Sequence, residues 1–109
     1  MLAEVLTTSR ERGNRYLEGV AERVLGDALA AEPAAAAGHF EIAASILDEI
    51  GARDELARTL AGQARLRLAA GDAVGASPLF ARALELFEAC GTLDEPPRVR
   101  AALAALVDR

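Results

Sequence analysis

The sequence contains no lysine and no tryptophan, and it has only one cysteine and one histidine. A glycine-rich phosphate loop that ends in lysine is therefore excluded. A single cysteine excludes an intramolecular disulfide and fits a reducing compartment. One histidine and one cysteine also cannot supply the soft ligands of a zinc site within one chain. These absences leave no metal, disulfide or nucleotide motif, and we expect no cofactor.

Long apolar runs are also missing. No stretch approaches the roughly 20 apolar residues that a membrane-spanning helix needs. The first residues, MLAEVLTTSRER, place Glu4 early and lack the basic-then-apolar order of a signal peptide. The sequence therefore predicts a cytoplasmic protein without a membrane partner.

The charge balance is acidic and the apolar content is high. The net charge is −5, all twelve basic residues are arginine, and the pI is about 4.8, so nucleic acid is disfavoured as a partner. Apolar residues make up 52% of the 109 residues but aromatic residues only 4%. Much of the apolar content is alanine, which favours helices and close backbone packing over a thick core. We predict one all-α domain built of thin helical layers, and the arginine and alanine usage suggests a bacterial source.

The sequence repeats itself at a spacing of 40 residues. Alanine pairs match by chance in such a chain, so the evidence comes from the less common residues. Five such pairs share the register: Phe40 with Phe80, Gly51 with Gly91, Asp54 with Asp94, Glu55 with Glu95, and Arg58 with Arg98. The spacing predicts a tandem structural repeat.

Each period holds two amphipathic helices. The first opens near Asn14, a favourable N-cap residue, and Glu32-Pro33 ends it. Its partner runs to Gly51, a favourable C-terminal residue. The apolar positions recur at helical spacing, for example Leu17, Val20, Ala21, Val24 and Leu25 in the first helix and Ala36, Phe40, Ala43 and Leu47 in the second.

The second period follows the same plan. We expect Asp54 to cap its first helix, Gly71-Asp72 to end it, and Cys90-Gly91 to end its partner. Pro78 leaves two alternatives: Ser77 is the N-cap and Pro78 lies in the first turn of the partner helix, or a turn begins at Asp72 and bends at Pro78. The predicted organisation is therefore a repeat at 14–51, a repeat at 54–91, the tail of a second-type helix at 1–12, and a terminal first-type helix at 94–109.

Gly71-Asp72, Ala76, Phe80 and Ala83 have the spacing of the tetratricopeptide repeat, and the chain resembles that family over most of its length. The 40-residue period exceeds the usual ~34 residues. It is similar to the longer variant in bacterial multidomain regulators such as nucleotide cyclases and ATPase-type transcription activators. The resemblance implies antiparallel helix pairs in a right-handed superhelix, an α-solenoid. The chain departs from the family pattern at Gln63 and Arg67, where a large apolar residue and an aromatic residue are usual.

Catalytic arrangements find little support. His39 and Cys90 could form a nucleophilic pair, but they align with Leu79 and Ile50, so we expect both to pack as structural residues. Of the two carboxylate pairs, Asp48-Glu49 lies at a helix end and Asp54-Glu55 at a helix start, where acidic residues interact favourably with the helix dipole. We therefore predict that the chain is not an enzyme.

The resemblance implies a partner-binding groove along the first-type helices. Its candidate residues are Glu18, Glu22, Arg58, Arg65 and Arg98. Arginine pairs bidentately with carboxylates, so the groove would take a protein or peptide partner, here one of mixed charge. Two alternatives stay open for these charged residues: they are ordinary solvated faces, or Asp27 and Arg67 pair between neighbouring helices.

The predicted function is thus a protein–protein interaction scaffold that binds a partner peptide or helix. The alternative is a homo-oligomerisation module of a larger bacterial regulator. The apolar residues Leu2, Val5 and Leu6 would then pair with a second copy in a two-fold homodimer.

Overall fold

The computed structural model describes residues 14–91, 100–102 and 104. These residues contain four complete helices, α1 (Arg15–Ala28), α2 (Pro33–Glu49), α3 (Arg53–Ala69) and α4 (Ala73–Cys90), and residues 100–102 and 104 are helical as well. Within these ranges no residue is in a strand, so the described chain is all-α, as its composition predicted. No described helix has the length and apolar content to cross a bilayer. The predicted segment 1–12 and most of 94–109 lie outside the described residues.

Local chemistry fixes the start of the first two helices. The Asn14 side chain accepts a hydrogen bond from the Leu17 amide at 3.0 Å, which satisfies one of the free amides of the first turn of α1. Proline needs no hydrogen-bond partner at a first helical position, and α2 begins at Pro33. The predicted start of α1 at Asn14 is confirmed, whereas α1 ends at Ala28, before the predicted end at Glu32-Pro33.

Glycines end the last three helices. Gly51, Gly71 and Gly91 have φ angles of 73°, 84° and 72°, the left-handed region that other residues adopt at a cost. The next amide then closes the turn: Ala52 donates to the Leu47 carbonyl and Asp72 to the Arg67 carbonyl, both at 2.9 Å. The chain reverses within short connections, so consecutive helices pack as antiparallel neighbours.

The starts of α3 and α4 test two sequence predictions. Asp54 was predicted to cap α3, but that prediction is wrong because α3 begins at Arg53 with Ala52 at the N-cap. The amide of Ala52 also closes the turn after α2. The helix therefore starts directly after this turn, and Asp54 lies within its first turn. At α4 the second alternative holds: Asp72 caps the helix by accepting from the Gly75 amide at 2.8 Å, and Pro78 lies inside it.

Each helix packs mainly against its chain neighbours, and α1 also touches α3. The core is built of small residues around a few large side chains: Phe40, Leu47, Phe80 and Phe87 are fully buried. Close approach centres on Phe40 of α2. A Cβ atom on Gly26 of α1 or on Gly62 of α3 would lie 2.7 Å from the Phe40 ring. The absence of side chains at these two glycines therefore lets α1 and α3 close on the same ring.

Several residues 40 apart have the same burial or backbone conformation in and after α2 and α4. Phe40 and Phe80 are both buried, as are their alanine neighbours, and Gly51 and Gly91 adopt the same backbone conformation. This equivalence agrees with the helix pairs that the spacing predicted. The right-handed superhelix stays a prediction.

Candidate partner-binding surface

A small cavity of about 100 Å³ lies between α1 and α3, and we call it the arginine cavity. Spacings of three and four residues place the contributing side chains on one face of each helix. Its lining residues are Arg23, Asp27, Arg58, Ala61 and Arg65. Three guanidinium groups and one carboxylate thus surround a space large enough for a small polar group.

Arg23 is held firmly in this cavity. Its Nε donates to Glu55 Oε2 of α3 at 2.8 Å, and a terminal nitrogen donates to Asp27 Oδ2 of α1 at 2.8 Å. The Arg23 and Glu55 side chains are both largely shielded from water, so this ion pair is screened less than an exposed one. It fixes the spacing of the two helices on this face.

Arg58 and Arg65 differ in their freedom. Arg58 donates from Nε to Asp54 Oδ2 at 3.2 Å, and its guanidinium carbon lies 5.9 Å from the centre of the Phe87 ring. These contacts fix the direction of its side chain. Arg65 is exposed and forms no ion pair with any residue that the structure describes. It is the cation in the cavity that remains open to an external carboxylate.

The two predicted acidic residues do not join this surface. Glu22 is 1% exposed, and its Oε2 lies 2.6 Å from His39 Nδ1 on α2. Glu18 is 7% exposed and accepts from a terminal nitrogen of Arg15 at 3.2 Å. Carboxylates buried to this degree are not accessible to a partner. Of the five predicted residues, Arg58 and Arg65 therefore share a cavity, while Arg98 lies outside the described residues.

Sequence reasoning did not assign Arg23 and Asp27 to the binding surface. The alternative in which Asp27 pairs with Arg67 is wrong: Asp27 pairs with Arg23, and Arg67 donates to Asp72 Oδ2 at 3.3 Å. The reason is local, because the turn after α3 places Asp72 beside the end of the helix that carries Arg67. The sequence signal for Arg23 was its four-residue spacing from Asp27, which brings the two onto one face.

His39 and Cys90 occupy separate environments. His39 lies on α2 and pairs with buried Glu22 on α1, whereas Cys90 is the exposed last residue of α4. The expectation that Cys90 packs as a buried residue is wrong. Its repeat equivalent Ile50 is itself 40% exposed, because both residues sit at a helix end beside a left-handed glycine.

The paired carboxylates have structural partners. Glu49 accepts from Arg15 at 3.3 Å, Asp54 pairs with Arg58, and Glu55 pairs with Arg23. Across the described part of the chain, no three histidine, cysteine, aspartate or glutamate side chains come together in a way that could hold a metal ion. The acidic residues on these helices therefore serve mainly to neutralise and position arginines.

A second and larger opening, of about 540 Å³, lies between the first half of α2 and the last half of α3. We call it the α2/α3 cleft. It is lined by Pro33, Ala34, Ala37, Glu41, Gln63, Leu66, Arg67, Ala70 and Leu79. Its walls are mostly small and apolar, with one acidic, one basic and one amide side chain.

Comparisons with known proteins give no identification. No family model, curated protein or solved structure matches the chain. The resemblance to the tetratricopeptide repeat therefore depends on the residues quoted above. The surfaces of the helices themselves have to support any functional conclusion.

Proposed function

We propose that the chain is a protein–protein interaction module, a scaffold of a cytoplasmic bacterial regulator, that binds an acidic segment of its partner between α1 and α3. The observation that carries this proposal is the arginine cavity. Three guanidinium groups converge there with a single carboxylate, and Arg65 has no ion-pair partner among the described residues. Arg23 and Arg58 are paired with carboxylates, so it is the guanidinium of Arg65 that favours an anionic group at this site.

The three arginines have different parts in this binding. Arg23 and Arg58 are already oriented by Glu55, Asp27 and Asp54, so little side-chain entropy is lost when a ligand arrives. Arg65 supplies the planar pair of donors that matches a carboxylate. An exposed pair of this kind contributes only about 0–1 kcal/mol. The acidic contact therefore sets the orientation of the bound segment.

The ligand preference is acidic rather than mixed. The mixed-charge proposal depended on Glu18 and Glu22 as an acidic end of the surface, but both are buried and paired. What remains exposed beside Arg58 is the guanidinium of Arg65. We also propose that the chain has no catalytic role, because Glu22 and His39 bind each other across α1 and α2 in a packing position.

Affinity capture tests this proposal with Arg65→Glu. This substitution reverses the one arginine of the cavity that forms no ion pair with a described residue, so the fold should be unaffected. The matched control is Arg82→Glu, which makes the same change at an exposed position of α4 away from the cavity. We expect a partner that the native chain and the control capture equally and that Arg65→Glu captures in a smaller amount. Equal capture by all three chains would contradict the proposal.

Self-association is the second candidate function. Tyr16 and Leu17 of α1 are 52% and 39% exposed, and Ile50 after α2 is similarly exposed. The Arg15–Glu49 ion pair brings the start of α1 beside the end of α2, so these apolar side chains share one end of the molecule. A mass that doubles with concentration in light scattering, and returns to the monomer value in Leu17→Glu, would support a homodimer over the scaffold.

A further inference from the structure

The α2/α3 cleft exists because α2 and α3 pack closely at one end only. Toward the turn that joins them, Leu47 of α2 and Leu56 and Leu60 of α3 belong to one buried cluster. Beyond Phe40 the α2 wall carries only small residues, Ala37, Ala34 and Pro33. With no large side chain to fill the space, the two helices leave an opening of about 540 Å³.

The α3 wall explains why the space stays unfilled. Gln63 and Arg67 stand where the repeat resemblance expects a large apolar residue and an aromatic one. Arg67 turns instead toward Asp72 and keeps its guanidinium in water. The floor of the cleft is left to Leu66 of α3 and Leu79 of α4, both partly buried. An apolar floor without a resident side chain is a site where a large apolar group from another molecule is favourable.

The dimensions of the cleft fit a helix. Its α2 wall runs from Pro33 to Glu41, nine residues that span about 12 Å at the helical rise. That length corresponds to about two turns, which is the distance between the outermost anchor residues in the usual mode of a helix in a groove. The volume lies within the range of roughly 300–1,000 Å³ that is common for ligand sites.

The charges at the rim decide which helix fits. Arg67 is already neutralised by Asp72 at 3.3 Å. Glu41 is exposed and forms no ion pair with a described residue. A basic residue beside the apolar anchors would therefore be matched at Glu41, and an acidic one would be repelled. The cleft thus differs from the arginine cavity in the sign of the charge it accepts.

We infer that the α2/α3 cleft is a second binding site, which takes a basic amphipathic helix of a partner protein. Large apolar side chains of that helix, one turn apart, pack over Leu66 and Leu79 between the alanines, and a flanking lysine or arginine pairs with Glu41. The two sites together let one module hold an acidic segment and a basic helix at the same time. This inference does not depend on the arginine cavity.

A displayed library of short amphipathic helices, randomised on both faces, is the probe for this site. We expect selection on the native chain to enrich peptides with large apolar residues one turn apart and a flanking lysine or arginine. Amide chemical shifts of a selected peptide complex should change at Ala34, Ala37 and Ala70. Enrichment of acidic peptides, or no enrichment above an empty support, would overturn the proposal.

Two variants with matched controls separate the cleft from other surfaces. Ala37→Trp places a ring in the cleft and should weaken the selected peptide more than about tenfold, whereas Ala81→Trp on the exposed face of α4 should not. Glu41→Gln should weaken it by up to about fivefold, as expected for an exposed ion pair, and Glu85→Gln should have no effect.

The same measurements contain the results that refute the inference. Peptides that bind Ala37→Trp as well as the native chain do not occupy the cleft. Concentration-dependent shifts at Ala34 and Ala37 without peptide would assign the cleft to a second copy of the chain. Arg65→Glu distinguishes this inference from the proposed function, because it changes the arginine cavity and should leave binding of the basic helix to the cleft unchanged.

Discussion

The packing of Phe40 between two glycines leads to a sharp prediction about stability. Gly62→Ala places a Cβ atom 2.7 Å from Phe40 Cζ and 2.8 Å from Phe40 Cε1, well inside normal contact distance. The ring has little room to move, because Gly26 of α1 packs so closely against it that a Cβ atom there would also lie 2.7 Å from Phe40 Cδ1 and Cε1. We therefore expect Gly62→Ala to force the helices apart or strain the ring.

The magnitude follows from two opposing contributions. Replacing a glycine inside a helix by alanine gains about 0.8–1 kcal/mol of helix propensity. Overpacking a close contact costs about 1–3 kcal/mol. Gly38 supplies the matched control, because it lies inside α2 and a Cβ atom there meets nothing within 4 Å. Gly38→Ala should therefore stabilise the fold by the propensity alone, and Gly62→Ala should be about 1–3 kcal/mol less stable than Gly38→Ala.

Denaturant unfolding followed by circular dichroism measures this difference directly. In thermal unfolding each kcal/mol corresponds to roughly 4–8 °C in Tm for a domain near this size. A double-mutant cycle with Phe40→Leu adds a second check, since the smaller side chain should reduce the cost of Gly62→Ala. If Gly62→Ala is as stable as Gly38→Ala, the close contact on Phe40 does not hold the helices together and the reasoning fails.

Three further predictions concern single residues. Asn14→Ala removes the cap of α1 and should cost about 0.5–2 kcal/mol in denaturant unfolding; an unchanged midpoint would show that the cap contributes nothing. His39→Ala removes a hydrogen-bond partner of the buried Glu22 carboxylate and should cost about 1–3 kcal/mol in the same assay, and an unchanged midpoint would show that this hydrogen bond does not stabilise the fold. Gly71→Ala forces a side chain into a left-handed residue at φ 84° and should cost about 1–2 kcal/mol, and equal stability would contradict the turn geometry.

The sequence predicted the parts of the fold that depend on local chemistry. Asn14, Pro33 and Gly51 mark helix ends because a cap, a missing amide and a left-handed turn each involve only a few neighbouring residues. The start of α3 was not predicted because its N-cap residue, Ala52, also closes the turn after α2. A search of the sequence for polar N-cap residues does not identify an alanine with both roles.

The parts that failed depend on contacts between helices. Glu22 has the pattern of a surface residue, and its burial against His39 requires knowing which face of α1 meets α2. Gly26 and Gly62 lower helix propensity, so the sequence alone shows no benefit from them. Their benefit is the close packing of both helices against the Phe40 ring, which requires the structure. Within the predicted surface, the resemblance implied Arg58 and Arg65, which line one cavity, whereas the contribution of Arg23 depends on Glu55 in another helix.

The contact of Phe40 with both glycines also bears on how the protein opens. Arrays whose helices touch mainly their chain neighbours can lose one helix pair while the rest stays folded. Phe40 connects the two helix pairs, because it lies in α2 of the first pair and packs against Gly62 in α3 of the second. The ion pair between Arg23 of α1 and Glu55 of α3 connects them as well. A partner bound between α1 and α3 therefore resists opening of both pairs at once. Its binding should slow amide hydrogen exchange across α1, α2 and α3 together rather than at the contact surface alone.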